Sequence, residues 1–210
     1  MTELVLEERS HDLWSVVQER SSVRSFETSP IPAELVRRAI EAAGWAPSPH
    51  GTQPWRFAVV ESQAERFRLA DAMANTWREQ LRLDGQDEDV VERRLQRSSE
   101  RLERAPVLVV MCLYLGDRET YPDRDRQDAE NIMAIQSLGA AAQNFLLAVH
   151  AQGLDAGWMC APLFCPDVVR STLDLDATLE PHALFPVGRA AAPPRRRQRR
   201  NVNELIVHWR

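Results

Sequence analysis

From Val107 to Leu115 the chain reads Val-Leu-Val-Val-Met-Cys-Leu-Tyr-Leu, with no charge, Gly or Pro to interrupt it. A strand with one face in water alternates apolar and polar residues, so this unbroken run predicts a strand covered on both faces. Shorter strands are expected at Trp55–Val60, Ala156–Met159 and Ala183–Val187. Helical spacing fills much of what lies between. Leu13, Trp14 and Val17 recur with a 3.6-residue period behind Ser10, a suitable N-cap. Leu35, Val36, Ala39, Ile40 and Ala43 form the inward stripe of a helix that begins near Pro32. Ser62 and Glu65 stand at capping-box spacing and open a helix to about Leu83, which Asp84-Gly85 breaks. The charged stretch 86–104 reads as a solvated helix. Residues 127–152, apolar on several sides from Ile132 to Val149 and stopped by Gly153, read as the most buried one. Pro166 begins another helix. Long helices between strands, without a regular βαβ rhythm, define an α+β chain.

A chain of 210 residues buries roughly 70% of its unfolded surface and needs no disulfide or metal to hold it. The net charge of −5 argues against a general nucleic-acid or anionic-membrane surface. Every basic side chain is Arg; the sequence has no Lys. Arg keeps its charge when partly buried, and its planar fork matches phosphate. Cys112, Cys160 and Cys165 form no CxxC pair, and Cys112 sits in the apolar run as a small buried residue. The odd cysteine count and an acidic N-terminus without a signal-peptide pattern point to the cytoplasm. The apolar stretches are read as too short to cross a bilayer.

Three distant segments carry polar groups that a core does not need. The first is Arg20-Ser21-Ser22-Val23-Arg24, where two forks and two hydroxyls suit a phosphate, or simply a solvated helix end. The second runs from Ala46 through Pro47, Ser48, Pro49, His50, Gly51, Thr52, Gln53 and Pro54 to Trp55. Prolines stiffen this loop while Ser48 and Gln53 offer hydrogen bonds, so it is a ligand loop or a rigid connector. His50 has no second ligand at metal spacing, and no metal site is expected. The third is Arg195–Arg200, five Arg in six residues. If extended, it turns Arg197 and Arg199 to one side and Arg196 and Arg200 to the other. Phosphate grip, solvated charge and nucleic-acid binding remain its possible uses, in that order. The apolar tail behind it, Leu205, Ile206, Val207 and Trp209, asks for cover from a partner subunit. The sequence carries no GxGxxG, Walker loop or catalytic triad, so chemistry is expected to come from a cofactor.

In this order and spacing the segments resemble the nitroreductase family of FMN enzymes. The matching phrases are Arg20-Ser21-Ser22-Val23-Arg24, Pro47-Ser48 to Gln53-Pro54-Trp55, Gly153-Leu154-Asp155-Ala156-Gly157-Trp158, and Gly188 with Arg195–Arg200. The resemblance implies a mixed, mainly antiparallel sheet surrounded by helices, in a domain-swapped homodimer. It treats residues 1–210 as one domain, with 190–210 wrapping the partner subunit. It places the FMN phosphate on Arg20, Ser22, Arg197 and Arg199, with Ser21 and Arg24 also at the cofactor and Arg24 at the pyrimidine edge. Ser48 and Gln53 would contact the flavin from the other subunit, with Pro47 and Gly51 of the same loop also at the cofactor, and backbone N–H groups at Cys160 and Ala161 would face its N5–O4 edge. Gly51 stands where the family often has Asn, which removes one side-chain contact.

A narrower resemblance is to the C-terminal FMN domain of the bifunctional enzyme that completes the deazaflavin coenzyme F-420. It rests on Ala46-Pro47-Ser48-Pro49-His50, Trp77-Arg78, Leu81-Arg82, Asp84-Gly85, Tyr121-Pro122-Asp123, Arg126 and Ala129-Glu130. It implies reduction of a dehydro precursor, with Ser48, His50, Trp77, Gln80 and Tyr121 at the substrate. Gln80 replaces an Asp of that subfamily. Deazaflavin F-420 or NAD(P)H would be the co-substrate, and a separate glutamyl ligase a possible partner. The competing readings are a nitroaromatic or quinone reductase and a flavin-binding protein without turnover.

Overall fold

The computed structural model describes residues 12–194 and 196–210. The proposed Ser10 cap lies outside them. Four strands, β1 (Trp55–Val60), β2 (Val107–Tyr114), β3 (Asp155–Ala156) and β4 (Leu179–Gly188), lie in the spatial order β1-β2-β4-β3. Every pairing between these strands is antiparallel. The apolar run forms the interior strand β2, and its two faces serve two cores. Val107, Val109, Met111 and Leu113 enter the layer built by α2 (Ala33–Gly44) and α5 (Arg124–Ala151). Leu108, Val110 and Cys112 enter the opposite layer, with α3 (Gln63–Leu83) and α6 (Pro166–Leu173). Period-two alternation thus sorts one apolar segment into both cores, as its composition requires.

The shorter strands depart from expectation. β3 ends at Ala156, but pairing continues as Gly157 N–H donates to Pro186 O and Met159 N–H to Leu184 O, both at 3.0 Å. β4 runs well beyond 183–187 at its N-terminal end despite Pro181 and Pro186, which argue against an interior strand on sequence alone. Its register with β2 shifts at Met111/Cys112, opposite Pro181 and Ala183, where the ladder absorbs the irregularity.

Helix boundaries follow their caps. Asp12 caps α1 (Leu13–Glu19) by accepting from Ser15 N–H at 3.0 Å. Ser62 caps α3 through Glu65 N–H, and Asp123 caps α5 through Arg126 N–H. Gly153, at φ 79°, turns the chain out of α5 in the left-handed region where glycine is at ease. α4 (Glu88–Arg104) is amphipathic rather than solvated all round, because Val91, Leu95 and Leu102 are buried. The stripe of α1 is the reverse of what its spacing suggests. Leu13 and Trp14 are 70% and 68% exposed, and Val16 is the buried residue of the helix. α5 is long and apolar enough, by length and composition, to cross a membrane, contrary to the sequence expectation. Its C-terminal half is core, with Ala141, Ala142, Phe145, Leu146 and Val149 buried, while Ile132 and Ile135 face outward. The tail forms a capped turn, α7 (Val202–Leu205), then leaves Val207 and Trp209 exposed.

Phe145 is fully buried between Phe57 and Phe185, with ring centroids 6.2 and 5.1 Å away. Phe145→Ala is expected to cost about 3–5 kcal/mol, seen as a lower denaturant midpoint with an unchanged slope.

Candidate functional site

The site begins where α1 ends. Arg20 closes the helix with its N–H on Val16 O, and the chain then runs extended beside β3. Ser22 forms a parallel bridge with Ala156, and Val23 N–H donates to Ala156 O at 3.0 Å. In an extended segment alternate side chains oppose one another, so buried Val23 leaves Arg20, Ser22 and Arg24 on the other face. Ser21 lies on the Val23 side, and its hydroxyl donates to Glu19 O. Gly157 permits this approach: a Cβ there would stand 2.7 Å from Val23 O.

The same arm is tied to the exit of β4. Glu27 N–H donates to Arg189 O, Ala191 N–H donates to Ser25 O, and Phe26 bridges to Ala190. Asp155, buried beside His150 at 3.8 Å, accepts from Ala190 N–H. The C-terminal arginines therefore start from a fixed point beside Ser25–Glu27 of the N-terminal arm. Arg199 lies close enough to Arg20 to lower its pKa, after the larger effect of burial. Arg200 pairs with Glu204, and Arg196 lines a separate cavity with Glu19 and Glu27. Arg197 is exposed.

A cavity of about 800 Å³ opens between α3, α4 and the short 3-10 turn Ala161–Phe164. Its volume is in the range of small-molecule sites. Trp77, Gln80, Cys160 and Ala161, all expected at a ligand, line it. Met73, Met159 and Phe164 supply apolar wall, and Arg94, Arg97 and Arg101 a basic one. Gln80 Nε2 donates to Phe164 O at 3.1 Å, which fastens the turn to α3 and commits that amide nitrogen. Arg24 approaches from the N-terminal arm. Burial holds the Arg101 guanidinium below its ordinary pKa, and repulsion from Arg24 adds to the shift.

The proline loop stands apart from this cavity on the same chain. Ser48 Oγ accepts from Gln53 N–H at 3.0 Å, closing the loop on itself. His50 (φ 54°) and Gln53 (φ 47°) take left-handed backbone, as does Gly51 (φ 69°). Such conformations cost of order 1–3 kcal/mol for residues with side chains and cluster at ligand sites. His50 Nε2 lies 4.0 Å from Oε2 of Glu130, a carboxylate only 2% exposed. Tyr121 is also outside the cavity: its N–H donates to Gln127 Oε1 and its ring lies under Arg126. Thus Ser48, His50 and Tyr121 do not join Trp77 and Gln80 in one chain, and Pro47, Gly51 and Gln53 do not reach the arginine pair. Sequence reasoning missed Arg94, Arg97 and Arg101. Their spacing of three and four was legible, but the charge of α4 concealed that this face has a cavity before it.

Residues 17–189 match the Nitroreductase family, and the chain belongs to it. Among curated relatives, the 5,6-dimethylbenzimidazole synthase of Rhodospirillum rubrum is 31% identical over 170 residues, covering 78% of this chain and 74% of that protein. The fold matches a BluB-like flavoprotein from Clostridium difficile, with TM-score 0.81, 22% identity and coverage of 96% of this chain and 100% of the other. It also matches the FMN-dependent nitroreductase NfnB from Mycobacterium smegmatis, solved in complex with NADPH, with TM-score 0.71, 22% identity and coverage of 94% and 97%.

The cysteines differ in environment. Burial pushes the Cys112 thiol up to about 11 and raises Cys165 as well, whereas Cys160 is exposed at the cavity. At pH 8 a disulfide reagent is expected to label Cys160 rapidly in the folded protein, and Cys112 and Cys165 only after unfolding, with peptide mapping as the check.

Proposed function

We propose that the protein is an FMN-dependent oxidoreductase that works as a cytoplasmic homodimer, its phosphate grip built from both ends of each chain. The observation that carries this is membership of the Nitroreductase family over residues 17–189; beside it, Arg20 at the end of α1 is half-buried, feels Arg199, and has no ion pair to a carboxylate among the described residues. Two like charges held together this way fit a doubly charged phosphate, which turns their repulsion into paired charge-assisted hydrogen bonds. Ser22, on the same face of the arm, and Arg197 would complete the grip, with Ser21 supporting the turn through Glu19 O. Arg24 would place its positive charge beside the pyrimidine edge, and the backbone at Cys160 and Ala161 would meet the N5–O4 edge.

Bound FMN would supply two-electron transfer between a donor and an acceptor. The chain's own part is to position, to exclude water with Met73, Met159 and Phe164, and to compensate charge with Arg24. Exposed apolar residues on α1 (Leu13, Trp14), α5 (Ile132, Ile135) and the tail (Val207, Trp209) support a dimer in which 190–210 embraces the partner. Pro47, Ser48, Gly51 and Gln53 would then reach the flavin of the other subunit. His50 and Tyr121 would close the substrate side beside Trp77 and Gln80.

The preferred acceptor is a dehydro precursor of the deazaflavin coenzyme F-420, supported by the Trp77-Arg78, Asp84-Gly85 and Tyr121-Pro122-Asp123 phrases and by the basic wall of the cavity. NAD(P)H or reduced F-420 would be the donor, and a glutamyl ligase a separate partner. Reduction of nitroaromatics or quinones, and flavin binding without turnover, are separated from this reading by assay of each acceptor. A second reading, formation of 5,6-dimethylbenzimidazole, is favoured by the 31% identity to the R. rubrum synthase, and product chromatography separates it.

The purified protein is expected to be a yellow dimer with FMN in each site. Arg20→Ala and Arg199→Ala should each weaken FMN binding on the order of 10- to 100-fold, measured by flavin fluorescence titration. A folded, colourless monomer indifferent to added FMN would overturn the reading.

A further inference from the structure

We infer that the face of α4 bearing Arg94, Arg97 and Arg101 is an anion-recognition subsite that selects aromatic acceptors carrying a phosphate or carboxylate. This rests on the reading above for the position of the flavin at Cys160–Ala161, but the charge selection is a property of the cavity itself.

Residues spaced by three and four share one helix face, and all three arginines line the same cavity of about 800 Å³. Their neighbours on the α3–α4 pair behave differently. Arg78 meets Glu92 at 3.2 Å and Arg82 meets Glu88 at 2.5 Å, whereas no ion pair joins Arg94, Arg97 or Arg101 to a carboxylate among the described residues. Asp84, at the end of α3, is the single carboxylate among the cavity-lining residues. Arg101 is the strongest indication: its Nε is buried and has no hydrogen-bond partner among the described residues. A guanidinium donor withdrawn from water without an acceptor is costly, and an anionic ligand supplies the acceptor. The positive charge of Arg24 adds to the same field. Across the cavity Trp77, Met73 and Phe164 offer apolar surface for the body of the ligand. In a protein of net charge −5 this basic wall is a local arrangement.

The test uses FMN-loaded protein and three probes of similar shape: para-nitrobenzoate, para-nitrophenyl phosphate and neutral para-nitrobenzamide. Calorimetric titration at low and high salt is run on the parent, Arg101→Gln, the exposed-site double variant Arg94→Ala/Arg97→Ala, and Arg93→Ala as a control outside the cavity. The anionic probes are expected to bind at least about tenfold tighter than the amide, with salt weakening that preference. Arg94→Ala/Arg97→Ala should reduce the preference to about twofold or less, Arg101→Gln should lower it, and Arg93→Ala should keep it. Equal binding of charged and neutral probes, or a preference that survives in the double variant, would overturn the subsite. Failure of the flavin reading looks different: the protein would take up no FMN, yet the flavin-free protein would still prefer the anionic probes.

Discussion

Two arginines from opposite ends of the chain come close enough for Arg199 to raise the cost of Arg20's charge, which burial has already made costly. Arg20 closes α1 and Arg199 follows the last strand, and both burial and mutual repulsion act on Arg20. Folding does not bring like charges together without something to hold them. Backbone bonds tie the arms that carry them: Ser22 and Val23 on Ala156, Glu27 on Arg189, and Ala191 on Ser25. These bonds order the N-terminal arm and the start of the C-terminal arm as far as Ala191, so part of the cost of organising the two arms is met in folding.

The sheet exists in the form that makes this possible. β2, buried on both faces, fixes β4 beside it, and β4 fixes both β3 and the departure of the C-terminal arm. Gly157 lets the N-terminal arm lie against β3, and Asp155 holds Ala190 at the other side of the same junction. The cavity adjoins this junction through Met159, Cys160 and Ala161. The N-terminal arm, the Cys160–Ala161 turn and the cavity thus adjoin one another around β3.

Much of this was legible in the sequence where local chemistry decides the outcome. The β2 run, the α2 stripe and the Ser62 cap speak through side chains that act on their own neighbourhood. Periodicity failed where nothing among the described residues of the chain covers an apolar stripe. Leu13 and Trp14 have helical spacing yet are exposed, as are Ile132 and Ile135 on α5. β4 was underestimated because Pro181 and Pro186 mask a strand whose register shift accommodates the irregularity. In α4, the charge density that suggested solvent also hid a cavity wall, since spacing shows which residues share a face but not what faces them. The arginine pair was legible as a convergence only through the family resemblance, and the hydrogen bonds at Ala156 and Arg189 give it a physical cause.

The central claim is that the convergent arginines recognise a phosphate. It is tested most directly by comparing the affinity of the protein for FMN with that for riboflavin, which has the same ring and sugar chain but no phosphate. The account predicts that FMN binds on the order of a hundredfold or more tightly, with the difference shrinking as salt rises. Equal affinity for the two flavins would contradict it.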